Sequence, residues 1–118
     1  MKLYYSTYGM QQEDVFSALP RLRDMGYEGM EIAVTPGWAT DPMHFAGDQR
    51  SRLAALLIEL GFPTPPLMAL LSPCVTGEDR PAMLAQFAAT FDMAHRLRVS
   101  DEPAVVTADD AMEAEAPA

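Results

Sequence analysis

The run ALPRLRDMGYEGMEIAV, residues 18–34, changes its apolar spacing halfway along. Leu19, Leu22 and Met25 recur at helical spacing, and Val15, with Phe16 beside it, carries that stripe backwards. Gly26 offers the left-handed stop that helix ends use. Met30–Val34 then reads as a short, mostly apolar strand. A helix that empties into a buried strand is the later part of a βαβ unit. The earlier part lies upstream: Lys2–Tyr8, KLYYSTY, is rich in aromatic and β-branched types and stops at Gly9. Glu13 and Asp14 fall in the predicted first turn, where the helix dipole favours acids. Pro20 removes one backbone bond and predicts a kink.

Downstream the pattern repeats. Thr35-Pro36-Gly37-Trp38 is a turn cluster, and residues 39–47 read as a loop with one helical turn after Pro42. Asp48 is predicted to cap a second helix, QRSRLAALLIEL, with Leu53, Leu56, Leu57 and Leu60 on one face and Gly61 as its stop. Phe62–Pro66 holds too many prolines for a helix, and Leu67–Leu71 (LMALL) reads as a buried strand. A third helix opens near Asp79 and Pro81 and runs to about Arg98. Its predicted core side is Leu84, Phe87, Ala88, Phe91 and Ala94, and Arg96 and Arg98 suit its negative end. Ala104–Thr107 looks like a fourth strand.

The order is β-α-β-α-β-α-β, with strands starting at Leu3, Met30, Leu67 and Ala104. Strict alternation implies an α/β fold with parallel strands and right-handed crossovers. Two closures fit: a small doubly wound sheet, or part of a (β/α)8 barrel. A whole barrel takes roughly 200 to 250 residues, so a chain of 118 holds about half of one.

Composition narrows the function classes. Apolar residues make up 49% and charged residues 21%, which suits one domain with a packed core. Lys and Arg number 8 against 17 Asp and Glu, a formal charge of -9. Such a balance argues against nucleic acid and against an anionic membrane surface, since both require a basic face. No apolar run approaches the ~18 residues of a membrane span, and the start, MKLYYSTYG, lacks a signal-peptide pattern. The lone Cys74 cannot form an internal disulfide, which makes a reducing cytoplasm the expected compartment. Residues 1–108 carry the expected domain. Residues 109–118 hold Asp109, Asp110, Glu113 and Glu115 without a cation and read as an acidic, disordered tail.

With the elements placed, KLYYSTYGM (2–10), ALPRLRDMGYEGMEIAV (18–34) and LAALLIELGFPTPPLMALL (53–71) together resemble the sugar phosphate isomerase/epimerase family. These are the xylose isomerase-like TIM barrels, related to endonuclease IV. GYEGMEI (26–32) looks like that family's second-strand signature and PAVVT (103–107) like its fourth strand. The resemblance spans residues 2 to about 107. Order and spacing carry it, since the separate motifs are mostly packing patterns. It implies the N-terminal half of a (β/α)8 barrel. It also implies a divalent metal (Mn, Mg, Co or Zn) in full-length relatives, held by Glu, Asp and His residues largely from later strands. No position in 109–118 matches those ligands, so the resemblance implies no metal held by this chain alone and no turnover by it alone.

The side chains at strand C-termini and the loops beyond them build the site of a parallel barrel. That rule selects Ser6, Thr7 and Tyr8 after strand one, and Thr35, Trp38 and His44 after strand two. It selects Ser72 and Cys74 after strand three, and Thr107 on strand four. Glu31 lies within an apolar strand: inside a barrel it could orient a hydroxyl or a base, and otherwise it faces solvent or pairs with a cation. Trp38 could stack on a sugar ring and donate its indole N–H to a hydroxyl, or simply anchor its loop, and Tyr8 is similar. His44 is a ligand or proton carrier on one reading and a surface loop residue on the other. Tyr8, Glu31, Trp38 and His44 are therefore the candidate substrate contacts, while His95 and Cys74 read as structural. There is no glycine-rich phosphate loop, because Gly26 to Gly29 joins a helix to a strand, the wrong polarity for phosphate binding.

The expected ligand is a small sugar or sugar phosphate, used by the full-length relative in aldose–ketose isomerisation or keto-sugar epimerisation. The alternative is a non-catalytic half-barrel whose open sheet edges drive a homodimer or pairing with another subunit. A flavodoxin-like module fits less well, because the mouth of strand one holds Ser6, Thr7 and Tyr8 where that fold places acids.

Overall fold

The computed structural model describes residues 3–69, 77–99 and 106–108. The expected strand and helix order holds. Strands β1 (Tyr4–Ser6), β2 (Gly29–Ala33), β3 (Leu67–Ala69) and β4 (Val106–Ala108) alternate with helices α1 (Val15–Asp24), α2 (Asp48–Leu60) and α3 (Arg80–Arg96). Two 3-10 turns, Thr7–Gly9 and Gly77–Asp79, precede α1 and α3. The expected acidic tail, Ser72 and Cys74 lie outside the described residues, as do the ends Leu70–Leu71 and Ala104–Val105 of the predicted third and fourth strands.

All pairings are parallel and the strand order is β1-β2-β3-β4. That order is consistent with the half-barrel closure. A doubly wound sheet needs a reversal of strand order so that helices reach both faces. A sequential order with right-handed crossovers sends every helix to the same face. The helices follow suit: α1 packs on α2, and α2 on α3. The doubly wound and flavodoxin-like readings are therefore set aside.

Alternation along the strands sorts the two faces. Met30, Ile32, Val34, Leu67 and Ala69 join Leu19 and Leu22 of α1, Leu53 and Leu57 of α2, and Met93 and Ala94 of α3 in one core. The other face takes Tyr4, Ser6, Gly29, Glu31, Ala33 and Met68, with Ser6 in register with Glu31 and Ala33 with Met68. The Tyr4 ring lies so close over Gly29 that a Cβ there would meet it at 2.4 Å, which places both on that face.

Several local expectations change. β1 is shorter than Lys2–Tyr8 because the chain tightens into a 3-10 turn at Thr7. Thr7 is buried, and its Oγ1 accepts the Ala33 N–H at 2.7 Å, a donor that a longer β1 would have paired. Thr7→Val is expected to leave that N–H orphaned and cost about 1–2 kcal/mol in a denaturant titration. A cost below about 0.5 kcal/mol would mean that the ladder ends there without the hydroxyl.

Asp14 is the cap of α1 and not part of its first turn, accepting from Phe16 N at 3.1 Å and Ser17 Oγ at 2.9 Å. Helix α1 runs through Pro20 without a break, and Met25 stands 71% exposed at its end, outside the core. Gly47, at φ 50°, precedes α2 in the cap position that Asp48 was expected to hold, and Asp48 is the first helical residue. Gly61 ends α2 in the left-handed conformation as expected, with the Phe62 N–H reaching back to the Leu57 carbonyl.

Helix α3 keeps only part of its expected face: Ala94 is in the core and Phe87 packs half-buried against it, while Leu84, Ala88 and Phe91 turn outward. Its buried line is Gln86, Thr90, Met93 and Ala94, followed by Leu97, while Leu84 and Phe91 are 54% and 58% exposed. The reason is hydrogen bonding. Gln86 Nε2 donates to Asp41 Oδ1 at 2.9 Å, and Thr90 Oγ1 donates to the Gln86 carbonyl at 2.8 Å. Two polar side chains satisfied inside displaced two apolar ones.

Candidate functional site

The C-terminal ends of β1 and β2 hold the site, and the loops beyond them are stitched together. In the Thr35-Pro36-Gly37-Trp38 turn, the Trp38 N–H closes on the Thr35 carbonyl at 3.1 Å, with Gly37 at φ 95°. Proline second and a left-handed glycine third is the signature of a type II turn. Gln11, from the loop after β1, donates its side-chain amide to the Gly37 carbonyl at 3.2 Å and accepts the Ala39 N–H at 3.0 Å on its own carbonyl.

That stitching brings Tyr8 and Trp38 together. Their rings stack with centroids 4.9 Å apart and planes 14° from parallel. The Trp38 indole N–H donates to the Tyr8 carbonyl at 2.9 Å, so it is committed to the loop and not offered to a ligand hydroxyl. What the pair presents is an aromatic ledge, with Tyr8 44% exposed and Trp38 half-buried.

Glu31 is half-buried on β2, in register with Ser6, on the face away from the helices. The parallel register sets Glu31 beside Ser6, the last residue of β1. His44 goes elsewhere. Its side chain is 84% exposed, and its Nε2 lies 3.9 Å from Asp41 Oδ2. His95 is exposed on α3. Thr107 pairs with Met68 in the β3–β4 ladder.

The sequence reading gave Asp41, Thr40 and Gln86 no role, yet they fix the loop after β2. Asp41 is 4% exposed, and its Oδ1 accepts from Met43 N at 3.1 Å as well as from Gln86. Thr40 Oγ1 donates to the Ala33 carbonyl. Arg50 closes the loop from α2, donating to the Phe45 and Pro42 carbonyls at 2.7 Å each. The Asp41-Pro42 pair was the available signal, since an aspartate that accepts from the N–H two residues on forms an Asx turn. No such signal marks Gln86, which is 45 residues away in sequence.

A cleft of about 560 Å3 opens at the opposite end of the strands, between Arg23, Glu28, Ile58, Gly61, Phe62, Pro63 and Val99. It lies where the strands begin, at the end away from the Tyr8–Trp38 ledge. Among the described residues no three His, Cys, Asp or Glu side chains gather as a metal centre requires. No helix among them is long and apolar enough to cross a membrane. Comparison of the chain with protein families, curated proteins and solved structures returned no match.

Proposed function

We propose that residues 1–108 are the first four strand–helix units of a xylose isomerase-like (β/α)8 barrel of the sugar phosphate isomerase/epimerase kind, acting in the cytoplasm on a keto sugar. One observation carries the reading. The Tyr8–Trp38 ledge stands at the C-terminal ends of two adjacent parallel strands, beside a strand whose inner face carries Glu31. In this reading the ledge packs against the C–H face of the sugar, and the Glu31 carboxylate accepts from one of its hydroxyls. The loop residues that carry the ledge, 6–14 and 35–41, include no Lys or Arg, and the Arg50 guanidinium donates to two loop carbonyls. That favours the neutral sugar over its phosphate. Proton transfer next to the carbonyl needs electrophilic help that the described side chains do not gather, so this chain contributes binding and orientation.

Trp38 is the single tryptophan, which makes its emission a direct probe of the ledge. Titration with D-fructose, D-psicose and D-xylulose is expected to give saturable quenching with a millimolar Kd for at least one of them. The corresponding phosphates should bind more weakly, and none of the sugars should turn over. Glu31→Gln is expected to weaken binding about tenfold, the loss of one hydrogen bond to a charged acceptor. Emission that no keto sugar alters would overturn the proposal, as would binding indifferent to Glu31→Gln.

A further inference from the structure

We propose, resting on the half-barrel reading, that two copies of this chain close into one eight-stranded parallel ring, with the β4 edge of each pairing with the β1 edge of the other. The sheet supplies the first reason. Its order is sequential and wholly parallel, so its two outer strands are β1 and β4. A two-fold axis along the strands leaves them all parallel and sets each β4 beside the other copy's β1. Four strands and four strands make the eight at which a parallel sheet closes around a side-chain core. Each copy then has two unlike edges satisfied, and closure stops growth at the dimer.

The distribution of exposed apolar side chains supplies the second reason. Leu3, Tyr4, Tyr8, Met25, Met43, Ile58, Leu84 and Phe91 are the large hydrophobic residues standing more than a third exposed among the described residues. Leu3, Tyr4 and Tyr8 belong to β1 and its immediate ends, while Leu84 and Phe91 belong to α3, the helix that leads into β4. On α3 these two residues, with half-buried Phe87 between them, form a stripe at the three- and four-residue spacing of one helix flank. The α2-facing flank is a different one: Arg96 donates there to Ser51 Oγ. At about 100° per residue the Leu84–Phe87–Phe91 stripe falls on the side of α3 away from α2. In a sequential sheet with its helices on one face, that side is the side of β4 and of any strand added beyond it. In the ring that strand is the second copy's β1, with Leu3 on its helix-side face. On the inner face the ring covers Tyr4, now 39% exposed over Gly29.

Sedimentation velocity of the 118-residue chain at 0.15 M salt tests this, with circular dichroism confirming the fold of each variant. The wild-type chain is expected to run as a dimer. The α3 variant Leu84→Glu/Phe91→Glu and the β1 variant Leu3→Lys/Tyr4→Lys are each expected to run as folded monomers. Mixed one to one, they are expected to dimerise again, because acidic α3 flanks then meet basic β1 edges. A monomeric wild-type chain, or higher oligomers, would overturn the ring. A β1 variant that stays dimeric would overturn it too, since the contact would then be α3 against α3. Keto-sugar quenching of Trp38 is read separately: a monomer that still binds sugar overturns the ring alone, and a dimer that does not bind overturns the sugar-binding reading alone.

Discussion

Leu57→Ala is expected to lower folding stability by about 3 kcal/mol, in the middle of the range for a fully buried leucine. Leu57 is 0% exposed and lies in the cluster that joins α2 to Met30, Ile32 and Leu67 of the sheet. The flanks of the site explain why the loss is so large. α2 is the middle helix and touches both neighbours, so a cavity beneath it cannot collapse by moving one outer element. Domains of this size are stable by only about 5–15 kcal/mol, so one such cavity removes a large share. Urea titration followed by circular dichroism checks it. A loss below about 1 kcal/mol would mean that the α2–sheet interface is not packed as described.

Gln86→Leu is expected to destabilise by about 2 kcal/mol, although it places a more apolar residue on a buried helix face. Gln86 is 7% exposed, and its amide is a hydrogen-bond donor to the Asp41 carboxylate, which is itself 4% exposed. Leucine would leave that carboxylate with the Met43 N–H and the more distant His44. A buried charge that loses a partner costs more than the added apolar contact returns. The double variant Gln86→Leu/Asp41→Leu should recover part of the loss, because both polar ends are then gone. Stability unchanged in Gln86→Leu would show that Asp41 does not depend on α3. The loop consequence is also measurable. With Asp41 released, the turn that holds Trp38 should loosen, and Trp38 emission should shift to longer wavelength as the indole meets more water.

The same pair of residues shows what the sequence could and could not convey. Element order was legible because spacing changes at fixed punctuation: Gly26 and Gly61 end helices at φ 102° and 74°, and Pro63, Pro65 and Pro66 forbid a helix before β3. Strand neighbours were not legible, since periodicity says which face a residue takes and nothing about which strand lies beside it. The α3 face misled for a physical reason. Apolar counting favours Leu84 and Phe91, and cannot know that Gln86 and Thr90 find partners inside. Met25 misled differently: it continues the α1 spacing but falls on the C-cap, where the chain turns off the core.

At the site, the positions of Tyr8 and Trp38 after the first and second strands could be anticipated from the rule for strand C-termini. Their contact could not, because it depends on Gln11 and Gly37 tying two loops together. The assignment of the indole N–H to the Tyr8 carbonyl was equally hidden, and it changes the chemistry from hydrogen-bond donor to stacking surface. Glu31 and His44 are both candidate contacts in the sequence, one within a strand and the other in the loop beyond it. The fold separates them, keeping Glu31 half-buried on the sheet and sending His44 into solvent.

One measurement bears most directly on the sugar-binding account of the Tyr8–Trp38 ledge. Amide and side-chain NMR signals of the chain can be followed as D-psicose is added. The account expects Tyr8, Glu31 and Trp38 to shift together along one binding curve, with Arg23, Glu28 and Phe62 at the far end of the strands unmoved. Shifts confined to that far end, or shifts of Trp38 without Glu31, would contradict it.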